Sequence, residues 1–276
     1  MTEQSDTRDL MLANLSWPEV ADILDDVEVV LIPVGSNEQH GPNLSVQMDI
    51  AAATEFCRRA SEMAYPRLMV APGPAWGVSF HHMNFPGTIT LAPDTFVQVL
   101  VEIVASLAEH GFERFLIVNG HGGNIPSLGT AVVRIKEEVD PLFIGACGYF
   151  SFADPGLAEK HDMTGLTGHA CQMETSMAMA LIPHVVKTDA LAAGELTDLM
   201  YEFRPSLQKY NVTVPYRFDE YTRNGALGDA RRSTLAYGQD MIDSSLRNFV
   251  AFTQEVVEWS QAVEIEVEVE EDEDNG

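Results

Sequence analysis

Residues 27–50 read "VEVVLIPVGSNEQHGPNLSVQMDI", an unbroken apolar run followed by a polar loop that Gly and Pro punctuate. The apolar run predicts a strand that is buried on both faces, as in the parallel sheets of α/β proteins. The loop behind it carries Glu38, His40 and Asp49. Carboxylates and imidazoles are common metal ligands, and open α/β sheets bind ligands beyond the carboxyl ends of their strands. This stretch therefore predicts both a central strand and a candidate site.

The rest of the chain alternates apolar strands with amphipathic helices. Further strands are predicted within 67–71, 87–91, 114–119 and 142–150, and helices over 49–64, 94–110, 126–138 and 171–182, after a short first helix that Ser16 caps. This alternation predicts an α/β fold, a three-layer sandwich around a mainly parallel sheet. We expect a single domain over residues 1–263. We expect residues 195–235 to form an irregular insertion beside the site or at a subunit contact.

The chain is strongly acidic, with a formal net charge of −26 over 276 residues. Residues 264–276 contribute eight acids and no base, and we expect them to form a disordered acidic tail. The acid excess also extends over the body of the chain. In molar salt the Debye length falls to about 3 Å, which screens such self-repulsion. The composition therefore predicts a halophilic protein, or alternatively an acidic mesophilic one, and it excludes nucleic acid as a partner.

Neither a membrane nor an oxidising compartment is expected. No apolar run approaches the roughly 20 residues that span a bilayer, and the polar N-terminus does not resemble a signal peptide. Cys57, Cys147 and Cys171 are widely spaced and suggest no disulfide framework, so we interpret them as small buried hydrophobes. These features predict a cytoplasmic protein.

A second polar motif, "NGHGGN" at 119–124, follows the predicted strand 114–119. Because parallel strands end at the same rim of a sheet, we expect His121 to approach Glu38 and His40. The glycines permit close backbone approach, so the same loop would also suit a phosphate or an oxyanion. A phosphate- or nucleotide-binding module is therefore an alternative of another class.

His169 and Glu174 stand five residues apart in "GHACQMETS". Taken singly, His169 would be a hydrogen-bonded structural histidine, Glu174 a first-turn helix acid and Asp49 a helix N-cap. Taken together, two imidazoles from the rim loops and three carboxylates form a mixed ligand set for Zn²⁺, Mn²⁺ or Fe²⁺. Five ligands suit a pair of ions about 3.5–4 Å apart with one bridging carboxylate. A closed storage or structural metal site is the remaining alternative.

The motifs "PVGSNEQHGPNLSVQMD", "FPGTITL", "NGHGGN", "GHACQMETS" and "GALGDA" resemble, in order and spacing, those of the creatininase (creatinine amidohydrolase) family. The resemblance covers about residues 16–255. It implies a dinuclear metal centre, hydrolysis of carbon–nitrogen bonds other than ordinary peptide bonds, a small-molecule or short-peptide substrate, and a homohexamer. By motif, one ion would be bound by Glu38 and His121 and the other by His40, with Asp49 bridging and His169 as proton shuttle.

Two departures from the family pattern bear on the ligands and the substrate. Creatinine-hydrolysing members carry a glutamate where this chain has Gly123, so the resemblance implies Glu174 as the replacement ligand, or alternatively as a base. Such members also cover the substrate with tryptophans, whereas this chain has Phe150 and Phe152 in the corresponding region 145–170. Both departures argue against creatinine as the substrate. Other branches include a formylamino-pyrimidine deformylase and a peptidase that trims the mycofactocin precursor, and nothing in the sequence selects between them.

The sequence thus predicts a dinuclear amidohydrolase in which a hydroxide between two metal ions attacks an amide, a formamide or a cyclic amide. A lactone or cyclic ketone is an alternative substrate. His169 would carry the proton to the leaving nitrogen, with Glu174 as a second catalytic candidate. Candidate substrate-binding residues are His82, Gly122, Gly123 and Phe150.

Overall fold

The computed structural model describes residues 10–197, 209 and 214–274, with side chains described as far as residue 263. Its sheet has four strands, β1 (Val29–Val34), β2 (Leu68–Val70), β3 (Arg114–Asn119) and β4 (Phe143–Gly148). All three strand pairings are parallel, in the order β2-β1-β3-β4. The helices are α1 (Trp17–Ile23), α2 (Met48–Met63), α3 (Pro93–Ala108), α4 (Ile125–Glu138), α5 (Leu157–Lys160), α6 (Gln172–Leu181) and α7 (Leu235–Asp274).

The two faces of the sheet bury two separate apolar clusters, because side chains alternate along each strand. On one face Leu31 packs in a cluster with Phe56 of α2 and Phe249 of α7. On the other face Ile32 belongs to a cluster with Phe96 of α3. Helices thus cover both faces, which confirms the predicted three-layer α/β sandwich.

The strand order creates a crevice between β1 and β3. From β1 the chain passes through α2 to β2 on one side, and then crosses through α3 to β3 on the other. Ligands in open α/β sheets bind at such a switch point, beyond the carboxyl ends of the strands. The loops that begin at Gly35 and Gly120 follow these two strand ends.

The predicted strand over 87–91 is wrong. Its residues form one isolated bridge, between Asn37 and Ile89, and Ile89 is half exposed. The positive φ of Gly87 (99°) and the single pairing place this stretch along the site rim instead of in the sheet. The short β-branched run resembles a strand, but within the described residues it pairs only through the bridge from Ile89 to Asn37.

The ends of the chain are described in part. Ser16 caps α1 through a capping box with Glu19, as predicted for this residue. The last helix reaches Asp274 and includes most of the segment for which we expect a disordered tail. Side chains from 264 onward lie outside the described residues, so the tail and the domain boundary remain predictions.

Much of the 195–235 insertion, namely 198–208 and 210–213, also lies outside the described residues. None of the helices in the described part of the chain combines the length and apolar character that a membrane span requires.

Candidate metal centre

Asp49 lies at the centre of a buried group of acids and imidazoles between the two rim loops. It is in the first turn of α2, and Gln47 occupies the N-cap position, so Asp49 does not act as an N-cap. Its Oδ1 lies 3.0 Å from His40 Nε2 and its Oδ2 lies 3.1 Å from His121 Nδ1. Glu38 Oε2 lies 3.2 Å from the same Nδ1. The four residues of the rim loops that were predicted from the sequence therefore form one connected group of contacts.

Burial and opposite charge shift the pKa values of this group. Burial alone would raise the pKa of Asp49 and of Glu38. The attraction of His40 and His121 lowers the pKa of Asp49, and that of His121 lowers the pKa of Glu38. Burial would likewise lower the pKa of His40, but Asp49 and other carboxylates raise it to about 10. The pKa of His121 is also raised, because the attraction of Glu38 and Asp49 exceeds the cost of burial. The pocket thus favours positive charge beside its carboxylates.

Two atoms of this group suit a metal ion in particular. Despite the short distances, His40 Nε2 and Asp49 Oδ2 are buried without a hydrogen-bond partner among the described residues. A buried polar atom without a partner is costly, and bound divalent cations would satisfy these two atoms. The oxygen and nitrogen ligands of Glu38, His40 and Asp49 lie within 4.8 Å of one another. The donor set therefore fits Zn²⁺, Mn²⁺ or Fe²⁺.

His169 and Glu174 approach this group from the segment that leads into α6. The rings of His169 and His40 are 4.2 Å apart at their centroids. His169 Nε2 lies 2.6 Å from the carbonyl oxygen of Gln39; because a carbonyl only accepts, Nε2 carries the proton and Nδ1 holds the lone pair. His169 Nδ1 is 3.7 Å from Glu38 Oε1. Burial and the nearby His40 lower the pKa of His169 to about 3.

Glu174 lies in the first turn of α6 and accepts a hydrogen bond from the backbone N–H of Ala170. Burial raises its pKa to about 7, although the attraction of His40 opposes the shift. One donor atom from each of His40, His169 and Glu174 lies within 4.8 Å of the other two. Glu174 is thus placed on the His40 side of the Asp49 carboxylate.

The adjacent histidines 81 and 82 take different positions. His82 is buried, with Nδ1 2.8 Å from Gln39 Nε2 and Nε2 3.4 Å from Glu38 Oε1. Both of its nitrogens therefore face protein groups. His81 is half-buried and stacks on His121 at 5.6 Å and 15°. Of these two histidines, only His82 was predicted from the sequence; the doublet "HH" beside a motif of the site was the available signal for His81.

A pocket of about 510 Å³ opens onto this group. Gly122, Gly123 and Pro126 line it along the loop after β3, and Phe80, Tyr216 and Phe218 are among the aromatic residues that line it. The described part of the 195–235 insertion thus contributes to the wall, as one of its two predicted locations requires. Phe150 is not among the residues lining this pocket; it lines a neighbouring depression together with Gly122.

Comparisons with known proteins agree with this architecture. A family model described as creatinine amidohydrolase matches residues 13–253. A mycofactocin precursor peptide peptidase of Mycobacterium ulcerans (strain Agy99) is 32% identical over 235 residues, which cover 81% of this chain and 85% of the relative. A creatinine amidohydrolase of Pseudomonas putida is 27% identical over 199 residues, 66% of this chain and 76% of the relative.

The fold also has solved counterparts. A solved structure described as "Creatininase Mn" superposes on this chain with a TM-score of 0.76 at 22% identity, covering 90% of this chain and 98% of that one. At that identity the likeness concerns the fold. The family match, by contrast, spans all the residues of the centre described above.

Proposed function

This chain belongs to the creatininase family, whose members are metal-dependent amidohydrolases, and we propose that it hydrolyses an open-chain amide at a pair of divalent ions. The observation that carries the proposal is the position of Asp49. Its two carboxylate oxygens face His40 and His121 at 3.0 and 3.1 Å, as a bridging carboxylate would.

The side chains divide into two ligand groups around Asp49. Glu38 and His121 would bind one ion, and His40 and Glu174 the other, with Asp49 shared between them. Zinc, manganese or iron fits this set of nitrogen and oxygen donors. When bound, the ions supply a lowered pKa for a water between them and polarisation of the amide carbonyl.

His169 is the residue that we propose to move the proton. The bond from its Nε2–H to the carbonyl of Gln39 fixes the ring and leaves the lone pair on Nδ1. That atom lies 3.7 Å from Glu38, at the edge of the pocket. His169 Nδ1 takes a proton from the attacking water and delivers it to the departing nitrogen, which otherwise leaves as an unstable amide anion.

The substrate proposal rests on the pocket and on the relatives. Gly123 gives the wall no carboxylate at that position, and the described wall contains no tryptophan. The peptidase relative matches more of this chain (81%) than the creatinine amidohydrolase does (66%). We therefore favour an amide in a short peptide, held against backbone groups of Gly122 and Gly123. His82 lines the pocket 3.4 Å from Glu38 and is a further substrate-binding candidate, whereas Phe150 would act only at the outer margin.

The test is a substrate panel offered to metal-free protein reloaded with Zn²⁺, Mn²⁺ or Fe²⁺. The panel contains short peptides, a formamide, creatinine and a lactone, in low and molar salt, with products identified by mass spectrometry. We expect metal-dependent cleavage of peptides and none of creatinine. Asp49→Asn is the matched control, since it keeps the shape of the side chain. Cleavage that persists without metal, or in that variant, would overturn the proposal; cleavage of the formamide or lactone alone would redirect it to that substrate.

We further propose that the protein is a halophilic, cytoplasmic homohexamer, on the basis of its net charge and family. Molar salt screens the charge that would otherwise hold subunits apart. Light scattering between 0.1 and 3 M salt tests the hexamer, and unfolding measured at the same salt concentrations tests the halophilic character. A monomer at all salt concentrations would contradict the hexamer, and full stability at low salt would contradict the halophilic character.

A further inference from the structure

Gly123 lies where the protein has no room for a side chain. An ideal Cβ built on this residue would lie 2.3 Å from His121 Nε2 and 2.5 Å from the carbonyl oxygen of Val78. It would also lie 2.6 Å from Cε1 of His81. Real Cβ atoms do not approach other atoms so closely, so the glycine is required here. The space beside it is taken by the imidazole of His81.

This placement brings a third donor to the side of the centre formed by Glu38 and His121. A carboxylate oxygen of Glu38 and one ring nitrogen each from His81 and His121 lie within 4.8 Å of one another. The His81 ring is parallel to that of His121, within 15°, and packs edge-on against Tyr216 at 5.9 Å. Among the described residues, none forms a hydrogen bond with a ring nitrogen of His81. The ring is therefore held by neighbouring rings, with its nitrogens left for a ligand.

We propose that His81 supplies a further nitrogen ligand to the ion that Glu38, Asp49 and His121 bind. The inference rests on the proposed function, because it assumes that an ion occupies that position. With His81 included, the protein would offer this ion four ligands, two carboxylates and two imidazoles. Such a mixed set of oxygen and nitrogen donors suits Zn²⁺, Mn²⁺ or Fe²⁺. The His82 ring, by contrast, is already engaged by Gln39 and Glu38.

The variant that tests this is His81→Phe, which keeps an aromatic ring beside His121 and Tyr216 but removes both nitrogens. The matched control is His110→Phe. His110 is exposed and lies between the end of α3 and the start of β3, at the opposite end of that strand from the site. Metal-free protein is titrated with Zn²⁺, Mn²⁺ and Co²⁺ against a competing chelator. We expect His81→Phe to lose at least about tenfold in affinity for one of two ions, as weakened metal sites do. The visible absorption of the Co²⁺ form should change as well, and the control should match the wild type.

Equal affinities and an unchanged Co²⁺ spectrum in His81→Phe would overturn the inference. Circular dichroism of the metal-free proteins reports whether each variant folds, and His81→Leu replaces His81→Phe if the larger ring prevents folding. The two proposals fail in different ways. A wild-type protein that binds no ions at all would refute the proposed dinuclear function, whereas two ions bound equally by wild type and variant would refute only the role of His81.

Discussion

The side-chain oxygen of Asn124 accepts a hydrogen bond from the backbone N–H of Val78 at 2.9 Å. The amide nitrogen of the same side chain donates to the carbonyl of Gly35 at 3.0 Å and to Asn119 Oδ1 at 3.1 Å. One fully buried side chain thus joins the loop after β1, the end of β3 and the segment that leads to His81. These are the three segments that bring the candidate ligands together.

Asn124→Ala should therefore destabilise the metal-free protein. It leaves the buried N–H of Val78 and the carbonyl of Gly35 unpaired, at about 1–3 kcal/mol for each unsatisfied group. We expect the free energy of unfolding in urea to fall by about 2–4 kcal/mol. Asn124→Asp is the control, since it keeps the acceptor for Val78 and loses the donor to Gly35. A change in Asn124→Ala below about 0.5 kcal/mol, the size of an ordinary surface effect, would contradict this role.

Asp49→Ala should abolish the binding of both ions. The carboxylate faces His40 on one side and His121 on the other, so its removal takes a ligand from each ion. Elemental analysis after dialysis against Mn²⁺ or Zn²⁺ should find about two equivalents in the wild type and far less than one in the variant. Two equivalents retained by folded Asp49→Ala would show that this residue is no bridge.

His169→Ala should keep the metal and lose turnover. A positioned acid–base group contributes about 10²–10⁴-fold to the rate, so we expect kcat to fall by that factor. His169 is also near His40 and Glu174, so a role as a ligand would instead appear as lost metal. Measuring metal content and kcat on the same preparation separates the two roles, with His110→Ala as the exposed control. Unimpaired turnover would remove His169 from the mechanism.

Most of the fold follows from local patterns that the final structure keeps. The apolar run before Glu38 is a strand because it is buried on both faces, and the helix after it begins beside Asp49. Since parallel strands share a rim, two loops 80 residues apart converge on one site. The meeting of Glu38, His40, Asp49 and His121 was therefore predictable from strand ends alone.

The parts that were not predictable depend on contacts between distant segments. The run 87–91 has strand-like residues but pairs at one bridge only, which no local pattern indicates. His81 and His82 are neighbours in sequence, yet their different roles arise from Gly123 and Gln39, each about 40 residues away. Phe150 lies outside the pocket because the loop after β4 turns toward the neighbouring depression.

The three cysteines should resist alkylation in the folded protein. Burial raises the pKa of the Cys147 thiol to about 12 and that of Cys171 to about 11, and it raises the pKa of Cys57 as well. Because the thiolate is the nucleophile, thiols with raised pKa values remain protonated and unreactive at pH 8–9. Mass spectrometry after iodoacetamide treatment at pH 8.5 should find no adduct on native protein and three on urea-unfolded protein. Cys57 and Cys171 are buried and Cys147 is partly buried, so rapid modification of native Cys57 or Cys171 would contradict their burial.

Two glycine-to-alanine substitutions should have opposite effects on stability. Gly238 of α7 faces the backbone of α6, and a Cβ there would lie 1.8 Å from the carbonyl oxygen of Ser176. Gly129 is exposed on α4, and a Cβ there would contact nothing within 4 Å. Gly129→Ala should raise the free energy of unfolding by about 0.5–1 kcal/mol, since alanine loses less backbone entropy in a helix.

Gly238→Ala should instead lower the free energy of unfolding by about 3 kcal/mol or more, because α6 and α7 must separate to admit the methyl group. That movement also shifts Glu174, which lies two residues before Ser176 on α6. We therefore expect Gly238→Ala, and not Gly129→Ala, to weaken the binding of the ion beside His40. Urea unfolding and metal titration of both variants provide the measurement. Equal stability of the two variants would show that α6 and α7 do not pack as closely as described.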